Sequence, residues 1–166
     1  VYLREDEIKK LATMENLTNA EREVRDAFVI ACYTALRFSD LRRLNEAEIG
    51  DGVISLYQTK TKEKVAIPIL KEIAPLITYY QSQGFPIINK VRANRVIKQL
   101  AERCHLDEMV SYREFRGGNA TLHTAPKYSL ISFHTARRSC VTNLYKRGYP
   151  VNYIMTLSGH RSMQAF

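Results

Sequence analysis

The sequence predicts an α+β domain, mainly α-helical, with a small antiparallel β-hairpin. Three observations carry this. Apolar residues recur at helical spacing along most of the chain, as in Val24, Ala27, Phe28, Ala31 and Ala35. Val53 to Gln58 and Val65 to Ile69 read instead as two short strands joined by a polar turn. The length of 166 residues, 45% hydrophobic and 25% charged, suits one domain with its own core.

Arg4 to Met14 places Ile8 and Leu11 at helical spacing among charges. A stronger helix follows from about Ala20 to Leu36, with Thr18 or Asn19 as its N-cap and Glu21 and Glu23 in its first turn. It stops at Arg37. In Phe38-Ser39-Asp40-Leu41-Arg42-Arg43-Leu44, Ser39 is placed to cap a short helix with Leu41 and Leu44 inward. Arg37 then stands at a helix N-terminus, and Asp40, one turn along, is within reach to hold a guanidinium.

Gly50-Asp51-Gly52 breaks the helical pattern, and the hairpin after it carries Lys60, Lys62 and Lys64 in or beside its turn. Such lysines suit a solvated tip or a functional one. Lys71 to Gln83 reads as a helix with Pro75 in its first turn, closed by Gly84 and Pro86. Asn89 caps a helix from about Lys90 to His105, with Val91, Val96, Ile97, Leu100 and Ala101 inward and Arg92, Arg95, Lys98 and Arg103 outward. Val110 to Arg116 has strand character, Gly117-Gly118-Asn119 is a turn, and Thr121 to Ile131 returns as strand or runs as loop. Ser132 to Arg147 is a helix ended by Gly148. Pro150 opens another through about Leu157, Gly159 ends it, and Ser162 is placed to cap a further one.

The net charge of +8 favours a polyanionic partner, nucleic acid before membrane, since no long apolar run or basic amphipathic stretch accompanies it. Cys32, Cys104 and Cys140 are odd in number and widely spaced inside helical patterns, which reads as reduced thiols and a cytoplasmic setting. No signal peptide or transmembrane segment is visible. The start at Val1 and the stop at Phe166 in mid-pattern suggest a piece of something longer.

Chemistry concentrates in Ser132-Phe133-His134-Thr135-Ala136-Arg137-Arg138-Ser139 and in Leu157-Ser158-Gly159-His160-Arg161-Ser162. On a helix, Arg137 shares the apolar arc of Ala136, Cys140, Val141 and Leu144, whereas Arg138 points away. A guanidinium on the covered side needs a partner. Either a phosphate fills that role, with His134 beside it in the helix's first turn, or a structural carboxylate does while His134 caps its own helix. Arg37 and His160 stand beside helix starts in the same way. Two guanidiniums and two imidazoles around one phosphorus would balance the charge that develops in phosphoryl transfer without a metal. No carboxylate cluster suits a two-metal site, and His105, His123, His134 and His160 lack zinc spacing.

These boxes, preceded far upstream by Thr34-Ala35-Leu36-Arg37-Phe38-Ser39-Asp40-Leu41, resemble the signatures of the tyrosine recombinases, or phage integrases. Lys60-Thr61-Lys62-Glu63-Lys64 leading to Ile67-Pro68 is similar to that family's lysine-bearing hairpin. HxxR alone is weak, but Arg, hairpin Lys, HxxR and GH in this order are specific, and the Arg-Arg-Ser and Thr-Asn-Leu-Tyr details look most like bacterial mobile-element integrases.

The resemblance covers nearly the whole chain, residues 1–166, as a single catalytic domain lacking the family's N-terminal DNA-binding domain and its C-terminal tyrosine segment. It implies strand exchange on double-stranded DNA through a 3′-phosphotyrosyl intermediate, without cofactor or metal. Arg37 and Arg137 would clamp the scissile phosphate, Lys60 would protonate the leaving 5′-oxygen with Lys62 as its competitor, His134 would move a proton at the nucleophile, and His160 would bind a non-bridging oxygen. Asp40 would support Arg37, and Lys62, Lys64, Arg138 and Arg161 would contact DNA. Self-association as a tetramer on DNA and a bacterial, nucleoid-associated location follow from the same likeness. The family's tyrosine lies roughly nine residues past the GH histidine, so the nucleophile is expected just beyond Phe166 and the segment alone should be inactive. Two other readings stay open: a non-cleaving DNA-binding module derived from an integrase, and a basic helical interaction domain.

Overall fold

The structure, a computed structural model, describes residues 1–160. Helix α1 spans Glu5–Ala12, α2 Asn19–Thr34 and α3 Phe38–Leu41, and a 3-10 turn at Leu44–Glu46 leads into strand β1, Glu48–Gly50. Strands β2, Val53–Tyr57, and β3, Lys64–Pro68, follow; then helices α4, Ala74–Gln83, and α5, Lys90–Arg103. A second hairpin pairs β4, Met109–Arg116, with β5, Asn119–Pro126, and the short α6, Lys127–Leu130, leads to α7, Phe133–Lys146, and α8, Val151–Ser158. Strands β1, β2 and β3 form one antiparallel sheet in that order, with Leu56 opposite Val65 and Tyr57 opposite Lys64.

The core lies where α2 packs along α7. Thr18 caps α2 and shares a capping box with Glu21, and Val24, Ala27, Phe28 and Ala31 are buried along it. Phe133, the first residue of α7, sits edge-on to Phe28 of α2 at 5.4 Å and to Phe38 of α3 at 5.0 Å. Phe133 thus joins α2 to α3 and fixes the start of α3 beside the start of α7. A buried ion pair, Lys127 Nζ to Glu7 Oε1 at 2.7 Å, ties α6 to α1.

Several local expectations change. Arg37, not Ser39, occupies the N-cap of α3, and Ser39 lies inside the helix. In the Gly50-Asp51-Gly52 break, Gly50 ends β1 and Asp51-Gly52 makes the turn into β2. Val91 is 80% exposed instead of inward, because Asn89 caps α5 through the Val91 and Arg92 amides and the buried line runs through Ala93, Ile97, Leu100 and Ala101. Residues 121–131 resolve into the rest of β5 followed by α6. Among the described residues no helix is long and apolar enough to cross a membrane.

Candidate active site

Helix α2 ends at Ala35, whose left-handed backbone (φ 53°) turns the chain into Leu36 and Arg37. The carbonyl of Ala35, left without a helical partner, accepts from Arg137 Nη1 at 2.6 Å. That bond explains how a guanidinium only 6% exposed is accommodated on the covered side of α7. Its other amino group, Nη2, lies 3.3 Å from His160 Nε2. A guanidinium only donates, so Nε2 is the acceptor and the imidazole proton sits on Nδ1, 2.6 Å from Ser158 Oγ. Ser158 in turn donates to the Ile154 carbonyl at 2.6 Å.

Arg37 approaches from the other side. Its Nη1 donates to Gln58 Oε1 at 2.8 Å and its Nη2 to the Gly159 carbonyl at 3.3 Å. Arg37, His134 and Arg137 together line one cleft of about 430 Å³, with Leu36, Phe38, Ser39, Arg42, Lys90 and Phe133 completing its wall. Among the described residues no carboxylate lines it. The backbone contributes less than the helix-start pattern suggests, since the Phe133 amide donates to Asn94 Oδ1 at 2.9 Å and the Thr135 amide to the Ser132 carbonyl at 2.8 Å.

The electrostatics follow from crowded cations. Burial, then the charge of Arg37, pulls Arg137 down to about 10, still protonated at neutral pH. Burial, then Arg137, Arg37 and His134, pushes His160 down to about 4. His134 is lowered by burial, then by Arg138, Arg137 and Lys90. Both imidazoles are therefore neutral at pH 7, beside guanidiniums that remain charged.

Asp40 is fully buried, and its Oδ1 accepts the Thr59 amide at 2.7 Å, so it anchors the base of the hairpin turn next to Lys60. Lys60 itself is exposed on that turn and does not line the cleft. Lys62 is exposed with φ 59°, and Lys64 pairs with Glu48 at 2.9 Å. Arg138 points to solvent. Arg161 and Ser162 lie outside the described residues.

Three residues at the site went unmarked by sequence reasoning. Gln58 had a readable signal: the alternation that buries Ile54 and Leu56 puts it on the same inner face. Arg42 and Lys90 look like ordinary surface cations, and only the tertiary fold brings them to the cleft.

The fold is one shared with solved site-specific recombinases and integrases. It resembles the XerH site-specific recombinase in a post-cleavage complex (TM-score 0.66, 16% identity, covering 98% of this chain and 47% of that one). It also resembles lambda integrase bound to a core site (0.66, 20%, 98% and 56%) and the Tn1549 transposon integrase with circular intermediate DNA (0.69, 16%, 99% and 59%). The chain thus spans about half the length of these solved proteins. The family's sequence profile matches residues 1–165, and the chain belongs to the phage integrase family. A search of curated proteins finds no significant match.

Proposed function

We propose that this chain is the catalytic domain of a site-specific recombinase that cuts and rejoins double-stranded DNA through a 3′-phosphotyrosyl intermediate. The observation supporting it is the convergence of Arg37, His134 and Arg137, with His160 behind Arg137, on a cleft whose wall, among the described residues, holds cations and no acid.

In this reading a tyrosine past Phe166 attacks phosphorus, the bond to the 5′-oxygen breaks, and the two guanidiniums balance the charge on the non-bridging oxygens. A phenol near pKa 10 needs that positive field and a base to attack at neutral pH, and neutral His134 is suited to receive its proton. Lys60, on the exposed turn, protonates the departing 5′-oxygen once DNA brings the hairpin and the cleft together. His160 accepts from Arg137 in the free domain; to donate to a phosphate oxygen it takes up a proton at Nε2, which the incoming negative charge favours. Lys62, Arg138 and Arg161 contact the DNA backbone, and Lys64 joins them on releasing Glu48. Lambda integrase has been solved as a tetramer on a Holliday junction, and the same assembly on nucleoid DNA is proposed here.

The test is a trapping experiment: the full-length protein with nicked duplexes taken from the DNA flanking its own gene. Covalent protein–DNA adducts are expected, and they should vanish when the tyrosine past Phe166 is replaced by Phe. Adducts that survive that change would refute the assignment. DNA binding with no adduct on any such duplex would favour a non-cleaving module.

A further inference from the structure

Gln58 is 1% exposed, and its carboxamide is wedged between Arg37 and Gly159. Its backbone closes the lysine turn, the amide donating to the Glu63 carbonyl and the carbonyl accepting from Lys62, both at 2.9 Å. Its Oε1 accepts from Arg37 Nη1 at 2.8 Å and from Thr61 Oγ1 at 3.0 Å. Because a guanidinium has no acceptor, the oxygen must face Arg37 and the amide cannot be flipped. Nε2 is then left buried without a partner among the described residues. Leucine at this position would avoid that cost but leave Arg37 Nη1 and Thr61 Oγ1 without this acceptor, so the amide is retained for its oxygen.

Gly159 closes the other side. It terminates α8 with φ 67°, and a Cβ there would run into the Gln58 carboxamide. Arg37 is thus held on one edge by two neutral acceptors, the Gln58 amide oxygen and the Gly159 carbonyl. Among the described residues no carboxylate forms an ion pair with it. A neutral acceptor orients a guanidinium and leaves its positive charge intact, whereas a carboxylate would compete with a phosphate for the same donors.

Resting on the phosphate-cleft reading above, we infer that Gln58 is a positioning residue that aims Arg37 into the cleft. It must be a neutral acceptor, and it links the lysine hairpin to the turn that carries His160.

The test titrates the 166-residue chain with inorganic phosphate. It follows the Arg37 side-chain Nε resonance, assigned by its loss in Arg37→Lys, alongside thermal unfolding. Wild type is expected to shift that resonance saturably. Gln58→Glu should unfold no earlier than wild type yet bind phosphate about tenfold more weakly or worse, recovering as pH falls and the new carboxyl protonates. Gln58→Leu, which removes both the acceptor and the unpartnered Nε2, should keep or gain stability and still lose phosphate affinity severalfold. Opposite movement of stability and affinity is what a purely structural glutamine would not produce. A wild-type chain whose Arg37 ignores phosphate sinks the cleft reading together with this one. A responsive wild type matched in affinity by Gln58→Glu and Gln58→Leu sinks the role of Gln58 alone.

Discussion

Arg137 Nη2 and His160 Nε2 face each other at 3.3 Å, which obliges the imidazole to be neutral. Its value of about 4 in the fold lies below the ordinary histidine value near 6.5. The unfolded chain therefore binds more protons than the native one between those limits, and stability falls as pH drops from about 6.5 towards 4. His134, also lowered, acts in the same direction. Full linkage would reach about 3 kcal/mol for His160, but the ring is partly exposed, so a loss on the order of 1 kcal/mol is expected. Urea unfolding at pH 8 and pH 5 measures it, and phosphate added at pH 5 should restore part of the loss.

The carboxylate of Asp40 is the hairpin's anchor. Replacing it by Ala leaves the Thr59 amide without its acceptor and empties a fully buried site, and should cost about 1–3 kcal/mol. Hydrogen exchange is the sharper measurement. The Thr59 amide should lose its protection in Asp40→Ala while the buried amides of α2 keep theirs.

What could be read from sequence divides along physical lines. Arg137 was legible because helical periodicity places it among Ala136, Cys140 and Leu144, and a guanidinium there demands a partner. The identity of that partner was not legible: it is the carbonyl of Ala35, more than a hundred residues away, exposed by a left-handed turn that no residue type announces. Lys60 is singled out only by the likeness to the family's lysine-bearing hairpin, and sequence spacing says nothing of how far an exposed turn stands from the cleft. Short strand β1 was missed because three residues carry too little alternation to register.

Glu7 and Lys127 form a buried ion pair, with Lys127 Nζ 2.7 and 2.8 Å from the two carboxylate oxygens. Lys127→Met leaves the buried Glu7 carboxylate with only the exposed Arg4, 3.3 Å away, as a cationic partner and should cost up to about 3 kcal/mol, whereas adding Glu7→Gln should recover most of it. Thermal unfolding of the two single variants and the double variant decides this. Equal stability of Lys127→Met and the double variant would contradict it.

Arg42 and Lys90 share the cleft wall with Arg37, His134 and Arg137, and neither forms an ion pair among the described residues. If the cleft holds DNA backbone, each neutralises a phosphate and releases counterions when DNA binds. Alanine at either position should weaken binding to duplexes of unrelated sequence by a similar factor and reduce the log–log salt slope by about 1. The double variant should reduce it by about 2, since two contacts to separate phosphates release their counterions independently. Base-reading side chains behave differently, losing affinity for one sequence with little change in slope. Fluorescence anisotropy on several duplexes across a salt series separates the cases. An unchanged slope in the double variant would place the DNA elsewhere on the surface.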